Sequence, residues 1–201
     1  MLLANNIFFE RDNQIILKNL SLTISEKKII HLIGKNGSGK TTLLKILSNI
    51  LYPQKGDIFW NGKNIKKNPF EFYKDITFIM DKESSNKNLT LYENIFFWKK
   101  IFSSKINESE IDSILSVLSL IEYKNTRVIN LSYGEIKKLE LLRLIIEKKK
   151  LWLLDEPFIG LDKTSIEIIN QTIINHTDLG GMVVFTSHIS SKISNLEILE
   201  L

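Results

Sequence analysis

The stretch IHLIGKNGSGKTTLL, residues 30–44, decides the fold of this chain. Its apolar start predicts a short strand, its middle is a glycine-rich loop, and its end predicts a helix. The loop fits the pattern G-x-x-x-x-G-K-[ST], with Gly34, Gly39, Lys40 and Thr41 at the fixed positions. A glycine-rich stretch by itself is also compatible with a plain turn, but the order strand, loop, helix favours a phosphate-binding loop.

Each position of this loop has a physical role. Gly37 and Gly39 let the backbone pass close to phosphate groups, where a side chain would collide. Successive N–H groups and the start of the helix then face the anion. Lys40 is expected to reach the β- and γ-phosphates and to act in catalysis, and the Thr41 hydroxyl to ligate Mg²⁺. The sequence therefore predicts a site for a nucleotide and Mg²⁺, with these nucleotide-binding residues: Gly34, Lys35, Asn36, Gly37, Ser38, Gly39, Lys40, Thr41 and Thr42.

Length and composition set the frame for this site. The 201 residues suit one domain, or a domain with an inserted subdomain, and 43% hydrophobic residues supply a core. The absence of cysteine excludes disulfides and thiolate metal sites. The net charge of +4 comes with scattered lysines rather than a basic groove, so no nucleic-acid partner is expected. No apolar run approaches the roughly 18 residues that span a bilayer, so we expect any membrane role to come from partners.

The remaining elements predict an α/β fold. Two strands joined by a polar turn begin the chain, at residues 2–9 and 14–24, and Asn61-Gly62 is a strong hairpin signal. A helical subdomain is expected at about 82–147, inserted into the core. Its pattern is helical from Leu91 to about residue 120, and a second helix begins at Ser132. The segments after it alternate: a strand at 151–155, a helix near 163–176 and a strand at 182–188.

An acidic pair completes the predicted catalytic site. Asp155 and Glu156 follow four hydrophobic residues that suit a buried strand ending near the phosphate loop. Asp155 is expected to hold Mg²⁺ through its water shell, and Glu156 to act as general base on the attacking water. A simple Asp-Glu-Pro turn is the alternative. His188 also ends a strand; a lone histidine is usually structural, but this position is where ligands sit, and there it would touch the γ-phosphate.

The motifs occur in a diagnostic order. GKNGSGKT is followed by LSYGE at 131–135, LWLLDEP at 151–157, GLD at 160–162 and then His188. Over essentially the whole chain this resembles the nucleotide-binding subunit of ABC transporters. The resemblance implies a P-loop NTPase (RecA-like) core with an N-terminal antiparallel β subdomain and an inserted α-helical subdomain. The ABC transporter ATP-binding domain would then cover residues 1–201.

The same resemblance implies a homodimer that encloses two ATP molecules head to tail. Ser132 and Gly134 of one protomer would then contact the γ-phosphate bound by Lys40 of the other. The positive end of the helix that Ser132 caps supports this role. Ser132 and Glu135 alone are equally compatible with an ordinary capping box.

Several positions depart from the family pattern. Tyr133 stands where the family has glycine, and Glu135 where it has glutamine. The glutamine that the family uses near the metal falls on Asp81, which we expect to reach Mg²⁺ in its place. The aromatic residue that stacks on adenine falls on Arg11, whose guanidinium can also stack on a base. Phe9, close by, is expected to be a core residue.

Within the family the chain is similar to ATPase subunits of haem exporters in cytochrome c maturation. The features that carry this are the short length, ENIFFW at 93–98, LWLLDEPF at 151–158 and GGMVVFTSH at 180–188. The resemblance implies a peripheral subunit on the cytoplasmic side of a bacterial inner membrane, with integral membrane subunits of the maturation complex as partners. ATP hydrolysis would drive haem export or release of a haem-loaded chaperone. The alternatives are the ATPase of a different ABC transporter and a soluble ABC ATPase without a transport role.

Overall fold

The computed structural model describes residues 1–189, 193 and 196–201. The described residues form two sheets with helices packed against them. The strands are β1 (Leu2–Arg11), β2 (Gln14–Ile24), β3 (Ile29–Ile33), β4 (Lys55–Trp60), β5 (Lys63–Asn64), β6 (Ile76–Ile79), β7 (Leu151–Leu154), β8 (Met182–Thr186) and β9 (Leu196–Glu200). The α-helices are α1 (Lys40–Leu47), α2 (Pro69–Tyr73), α3 (Leu91–Ile101), α4 (Glu108–Val117), α5 (Tyr133–Glu147) and α6 (Lys163–Asp178).

The first sheet is antiparallel and has the order β2-β1-β4-β5. Asn61 and Gly62 join β4 to β5 with φ angles of 48° and 78°, and Trp60 pairs with Lys63. Two left-handed residues in a two-residue loop match the twist of a hairpin. The predicted hairpin and the predicted antiparallel strands at the start of the chain are therefore confirmed.

The second sheet is parallel, with the order β6-β7-β8-β3-β9. Strand β7 shows why its sequence does not alternate in polarity. Leu151 and Leu153 pack into the cluster that holds α1 and the first sheet, whereas Trp152 and Leu154 pack into the cluster that holds α6. All four side chains are buried, because layers cover both faces of the sheet.

This topology positions the site. The carboxyl ends of β3, β8 and β7 are neighbours in the parallel sheet. The phosphate loop, His188 and the acidic pair follow these three strands directly. Residues far apart in the chain therefore meet at one edge.

The segment between β6 and β7 forms a helical layer with a hydrophobic cluster of its own. Leu91, Ile95 and Trp98 of α3 pack there against Leu115 of α4 and Leu139 of α5. None of the helices within the described residues is long and apolar enough to cross a membrane.

The structure differs from the sequence-based expectation at several element ends. The helical pattern from Leu91 onward is divided between α3 and α4, because Ser103 is left-handed (φ 50°) and Asn107 caps a new helix with Glu110. Helix α6 ends two residues after its predicted end, at Asp178, and β8 ends two residues before its own predicted end, at Thr186. Helix α2 and strand β9 were not predicted, since α2 is a single short turn and β9 carries a mixed pattern.

Candidate nucleotide site

The loop between β3 and α1 presents its backbone to the cavity. Gly37 and Gly39 have φ angles of 84° and 101°, which glycine adopts without steric cost. A Cβ on Gly39 would lie 2.8 Å from Cγ2 of Ile16, so the close approach of β2 also requires glycine. Gly39 caps α1 without any side-chain hydrogen bond. The first N–H groups of α1 are therefore available to an anion.

The Lys40 side chain folds back over this loop. Its Nζ donates hydrogen bonds to the carbonyl oxygens of Gly34 (2.8 Å) and Lys35 (3.1 Å), and the residue is 8% exposed. The ammonium group is thus held inside the ring of loop atoms. A phosphate placed at this loop would meet both the helix N-terminus and a fixed positive charge.

Asp155 joins the loop to the neighbouring strands. Its Oδ1 accepts hydrogen bonds from the hydroxyl groups of Thr41 (3.1 Å) and Thr186 (2.9 Å), and Asp155 is buried. Hydroxyl and carboxylate oxygens are the ligand types that Mg²⁺ prefers. Thr41 and Asp155, which the sequence assigned to the metal, therefore lie side by side and suit this ion.

Glu156 lies next to this pair in a strained backbone conformation. Its φ is 48°, in the left-handed region that a glutamate rarely adopts, and its N–H donates to the Thr186 hydroxyl (2.8 Å). Its carboxylate lies 3.5 Å from Nε2 of His188 and accepts a hydrogen bond from the His188 N–H (3.4 Å). Strain of this kind is typical of functional positions. The His188 side chain is exposed and therefore open to a ligand.

A cavity of about 500 Å³ connects these groups. It is lined by residues from the predicted site and by two isoleucines: Arg11, Ile16, Asn36, Gly37, Gly39, Lys40, Thr41, Thr42, Asp155, Glu156, Ile159 and His188. Arg11 lies at this cavity, with its guanidinium carbon 5.7 Å from the centre of the Phe9 ring. Phe9 itself is buried in the core, as expected.

Six predicted site residues are not among those that line the cavity. Three belong to the phosphate loop itself, and three lie in other segments: Gly34, Lys35, Ser38, Ser132, Gly134 and Asp81. Ser132 caps α5, accepting a hydrogen bond from the N–H of Glu135, whose carboxylate in turn accepts one from the Ser132 N–H. The predicted capping box is thus confirmed. Gly134 packs so closely that a Cβ there would lie 2.6 Å from the carbonyl oxygen of Gly160.

Asp81 follows β6 and is exposed. The loop that Asp81 begins is attached to α5 and not to Thr41 or Asp155. Glu140 of α5 accepts hydrogen bonds from the N–H groups of Ser84 (2.8 Å) and Ser85 (2.6 Å) and from the Ser84 hydroxyl. Arg143 donates to the same hydroxyl (2.9 Å). The sequence analysis did not identify Glu140, although a glutamate on the apolar side of a helix is a recognisable signal.

Thr186 is the other functional residue that sequence reasoning missed. Its hydroxyl contacts both Asp155 and the Glu156 backbone. The available signal was a hydroxyl at the carboxyl end of an otherwise apolar strand. His31 helps to place the segment after β8, since its ring stacks on Phe185 and one ring nitrogen lies 3.0 Å from the carbonyl oxygen of Ser187.

The chain is similar to proteins of known family. The family model described as "ABC transporter" matches residues 17–159. The chain belongs to the ABC transporter family. It is the ATP-binding subunit of such a system, with the ATPase function and the P-loop α/β fold that the sequence predicted.

Two relatives carry the same description, "Cytochrome c biogenesis ATP-binding export protein CcmA". The protein from Aliivibrio fischeri is 34% identical over 94% of this chain and 92% of its own length. The one from Reclinomonas americana is 36% identical over 93% of this chain and 84% of its own. Among solved structures, a dimeric ATP-binding cassette bound to ADP and Pi in a post-hydrolysis state superimposes with a TM-score of 0.80. The two sequences are 21% identical, and the superposition covers 100% of this chain and 94% of that one, so the likeness supports the fold.

Proposed function

We propose that this chain hydrolyses ATP with Mg²⁺ at the cavity between the phosphate loop and the acidic pair. The observation that carries the proposal is the hydrogen-bonded series from Thr41 through Asp155 and Thr186 to Glu156. Lys40 and the loop N–H groups would bind the β- and γ-phosphates. Glu156 would accept a proton from the attacking water, and His188 would contact the γ-phosphate.

Mg²⁺ would neutralise phosphate charge during this reaction. The Thr41 hydroxyl is the donor best placed to ligate it, with Asp155 holding the water shell. Asp81 would approach from the other side of the site. Mg²⁺ usually keeps several waters and few protein ligands, so one hydroxyl and one or two carboxylates are sufficient.

The complete site would form in a homodimer. Ser132 and Gly134 would approach the γ-phosphate bound by the partner, because α5 begins there with a positive end and a close glycine contact. The alternative role of Ser132, a structural cap, is compatible with this contact. Arg11 would stack on the adenine from the edge of the cavity.

The relatives described as cytochrome c biogenesis export proteins support a specific pathway. This chain would be the ATPase subunit of a haem exporter or of a complex that releases a haem-loaded chaperone. Its partners would be integral membrane subunits of the cytochrome c maturation complex. It would lie on the cytoplasmic side of the inner membrane, without contact to nucleic acid.

The helical subdomain, at about 82–147, would receive the membrane subunit. Supporting this, α3 leaves Phe96 and Phe97 about half exposed, whereas Ile95 and Trp98 are buried in the helical cluster. Exposed aromatic side chains on one helix are typical of a protein–protein contact.

The test is a pull-down of tagged Glu156→Gln protein from native membranes with ATP and Mg²⁺, with partners identified by mass spectrometry. Glutamine retains the shape of Glu156 but cannot accept the proton, so ATP is expected to persist and the dimer to be trapped. Lys40→Ala is the matched control, since it should lose nucleotide and therefore fail to trap the complex.

Recovery of a multi-helix haem-exporter subunit with Glu156→Gln, but not with Lys40→Ala, is the expected result. Recovery of the membrane subunit of another transporter would leave the ATPase and overturn the pathway. Recovery of ribosomes, or of no membrane protein, would overturn the transport role. Wild-type turnover by Glu156→Gln would show that another group is the base.

A further inference from the structure

Lys137, a buried lysine on α5, is not among the residues of the proposed nucleotide site. Lys137 is 3% exposed, and its Nζ has no hydrogen-bond partner among the described residues. Lysine is almost never fully buried unless it is paired, since an ammonium group without partners loses its hydration. Any negative charge that stabilises Lys137 therefore acts without a direct hydrogen bond to it.

Four carboxylates act on this ammonium group. Burial, the largest effect, lowers the pKa of Lys137, and the charges of Asp81, Asp155, Glu140 and Glu156, with Asp81 first among them, offset this only in part. Two of these residues form the acidic pair of the nucleotide site. Lys137 thus lies in the negative field of the site without occupying its cavity.

The contacts of α5 explain how Asp81 comes near Lys137. Tyr133 lies one turn before Lys137 on the same helix face, and burial followed by the charge of Asp81 raises the pKa of its phenol. Glu140 lies three residues after Lys137 and holds Ser84 and Ser85 of the loop that Asp81 begins. Lys137 therefore lies between the two points at which this loop meets α5.

We propose that Lys137 is a positioning residue whose buried ammonium group is the internal counter-charge of the carboxylates around the metal, chiefly Asp81. The inference rests on the proposed nucleotide site and adds a determinant of its metal requirement. Lys137 holds Asp81 toward α5 and offsets part of the negative charge that ATP meets on entering. The divalent cation and the Lys137 ammonium group would thus both offset the negative charge of the same carboxylates.

Removing the Lys137 charge is therefore expected to change metal affinity and nucleotide affinity in opposite directions. Removing the ammonium makes the site more negative, so a divalent cation binds more tightly. The same change repels the phosphates of ATP when no metal is present. A unit charge several ångströms away in a partly buried site changes each affinity by roughly three- to ten-fold.

The experiment compares Lys137→Met with Lys138→Met, which removes the same charge from the next residue. Lys138 pairs with Asp162 (2.9 Å) and the Leu118 carbonyl instead of the site carboxylates. Binding of a fluorescent ATP analogue is measured in EDTA, and Mn²⁺ binding is measured by electron paramagnetic resonance. Neither readout requires turnover. Both variants are also measured in a protein that carries Asp81→Asn.

We expect Lys137→Met to weaken metal-free nucleotide binding and to tighten Mn²⁺ binding, each by roughly three- to ten-fold. Lys138→Met should change neither, and Asp81→Asn should reduce both effects. Unchanged Mn²⁺ and nucleotide binding in Lys137→Met would overturn the inference while leaving the proposed function intact. A wild-type protein that binds no nucleotide would overturn both. Circular dichroism checks folding, and Lys137→Gln, which retains a polar end group, replaces the methionine variant if that variant unfolds.

Discussion

The two halves of the proposed nucleotide site are held by different means. At the strand ends, backbone geometry and the Thr186 hydroxyl place Lys40 and the acidic pair. On α5, polar side chains provide the contacts, because the Glu140 carboxylate fixes the loop after β6 and the Ser132 hydroxyl caps the helix. The first half is rigid within the parallel sheet, whereas the second depends on side-chain contacts between two segments.

This difference determines which contacts each half of the site depends on. Strand ends in one sheet cannot separate without breaking ladder hydrogen bonds. The α5 half belongs to a layer with its own hydrophobic cluster, and the Glu140 contacts join it to the loop that Asp81 begins. Substitutions that remove one contact from each half test this distinction.

Glu140→Ala should have the largest effect. It leaves the buried N–H group of Ser85 and the partly buried N–H group of Ser84 without an acceptor and removes a negative neighbour of Arg143. We expect a loss of about 3 kcal/mol in the free energy of unfolding, since one buried and one partly buried donor are orphaned. Urea denaturation followed by circular dichroism measures it.

Glu140→Gln is the matched variant, since its amide oxygen still accepts one N–H and should recover part of this loss. If Glu140→Ala unfolds at the same urea concentration as the wild-type protein, the loop after β6 is not held by α5. The two halves would then not differ as described.

Thr186→Val tests the strand-end half and should have the next effect. Valine retains the shape, but it cannot donate to Asp155 or accept from the Glu156 N–H. The turnover number should fall roughly ten- to 100-fold, corresponding to about 1.4–2.7 kcal/mol, because the acidic pair loses its orientation. Nucleotide affinity should change by no more than about two-fold, since the Lys40 contacts remain.

Thr186→Ser restores the hydroxyl and should recover most of the turnover. Steady-state ATPase assays and nucleotide titrations separate the two quantities. Equal losses of turnover and affinity would show that the hydroxyl supports binding rather than the orientation of Glu156.

The same contrast explains how much could be predicted from the sequence. The phosphate loop was predictable because its function depends on glycine conformation and local spacing. The capping box at Ser132 was predictable for the same reason. The Glu140 contacts and the burial of Lys137 were not, because they arise when α5 meets a loop some 50 residues earlier in the chain. The division between α3 and α4 depends on the left-handed Ser103 and on the Asn107 cap, and a hydrophobic period reveals neither.

Asp162 connects the two halves, and its substitution should have the smallest effect. Its carboxylate caps α6 by accepting a hydrogen bond from the Ser165 N–H (2.8 Å), and it pairs with Lys138 of α5. These contacts, the Ser165 N–H first, lower its pKa to about 2. Asp162→Ala should cost about 1 kcal/mol at pH 7, the usual value of a helix cap. Little of this comes from the ion pair, because the side chain is 57% exposed and screened by solvent.

The pH dependence of the Asp162 effect sharpens this assignment. Because folding lowers its pKa, the charge of Asp162 stabilises the protein above the ordinary aspartate value of 3.8, and this contribution is lost as the pH falls toward 2. The gap in unfolding free energy between the wild type and Asp162→Ala should therefore narrow from pH 5 to pH 2.5 in urea titrations. Asp162→Asn, which retains an acceptor for Ser165, should lie between them at pH 7. A gap that stays constant with pH would mean that the neutral cap alone stabilises α6, and the link from Asp162 to α5 would carry no energy.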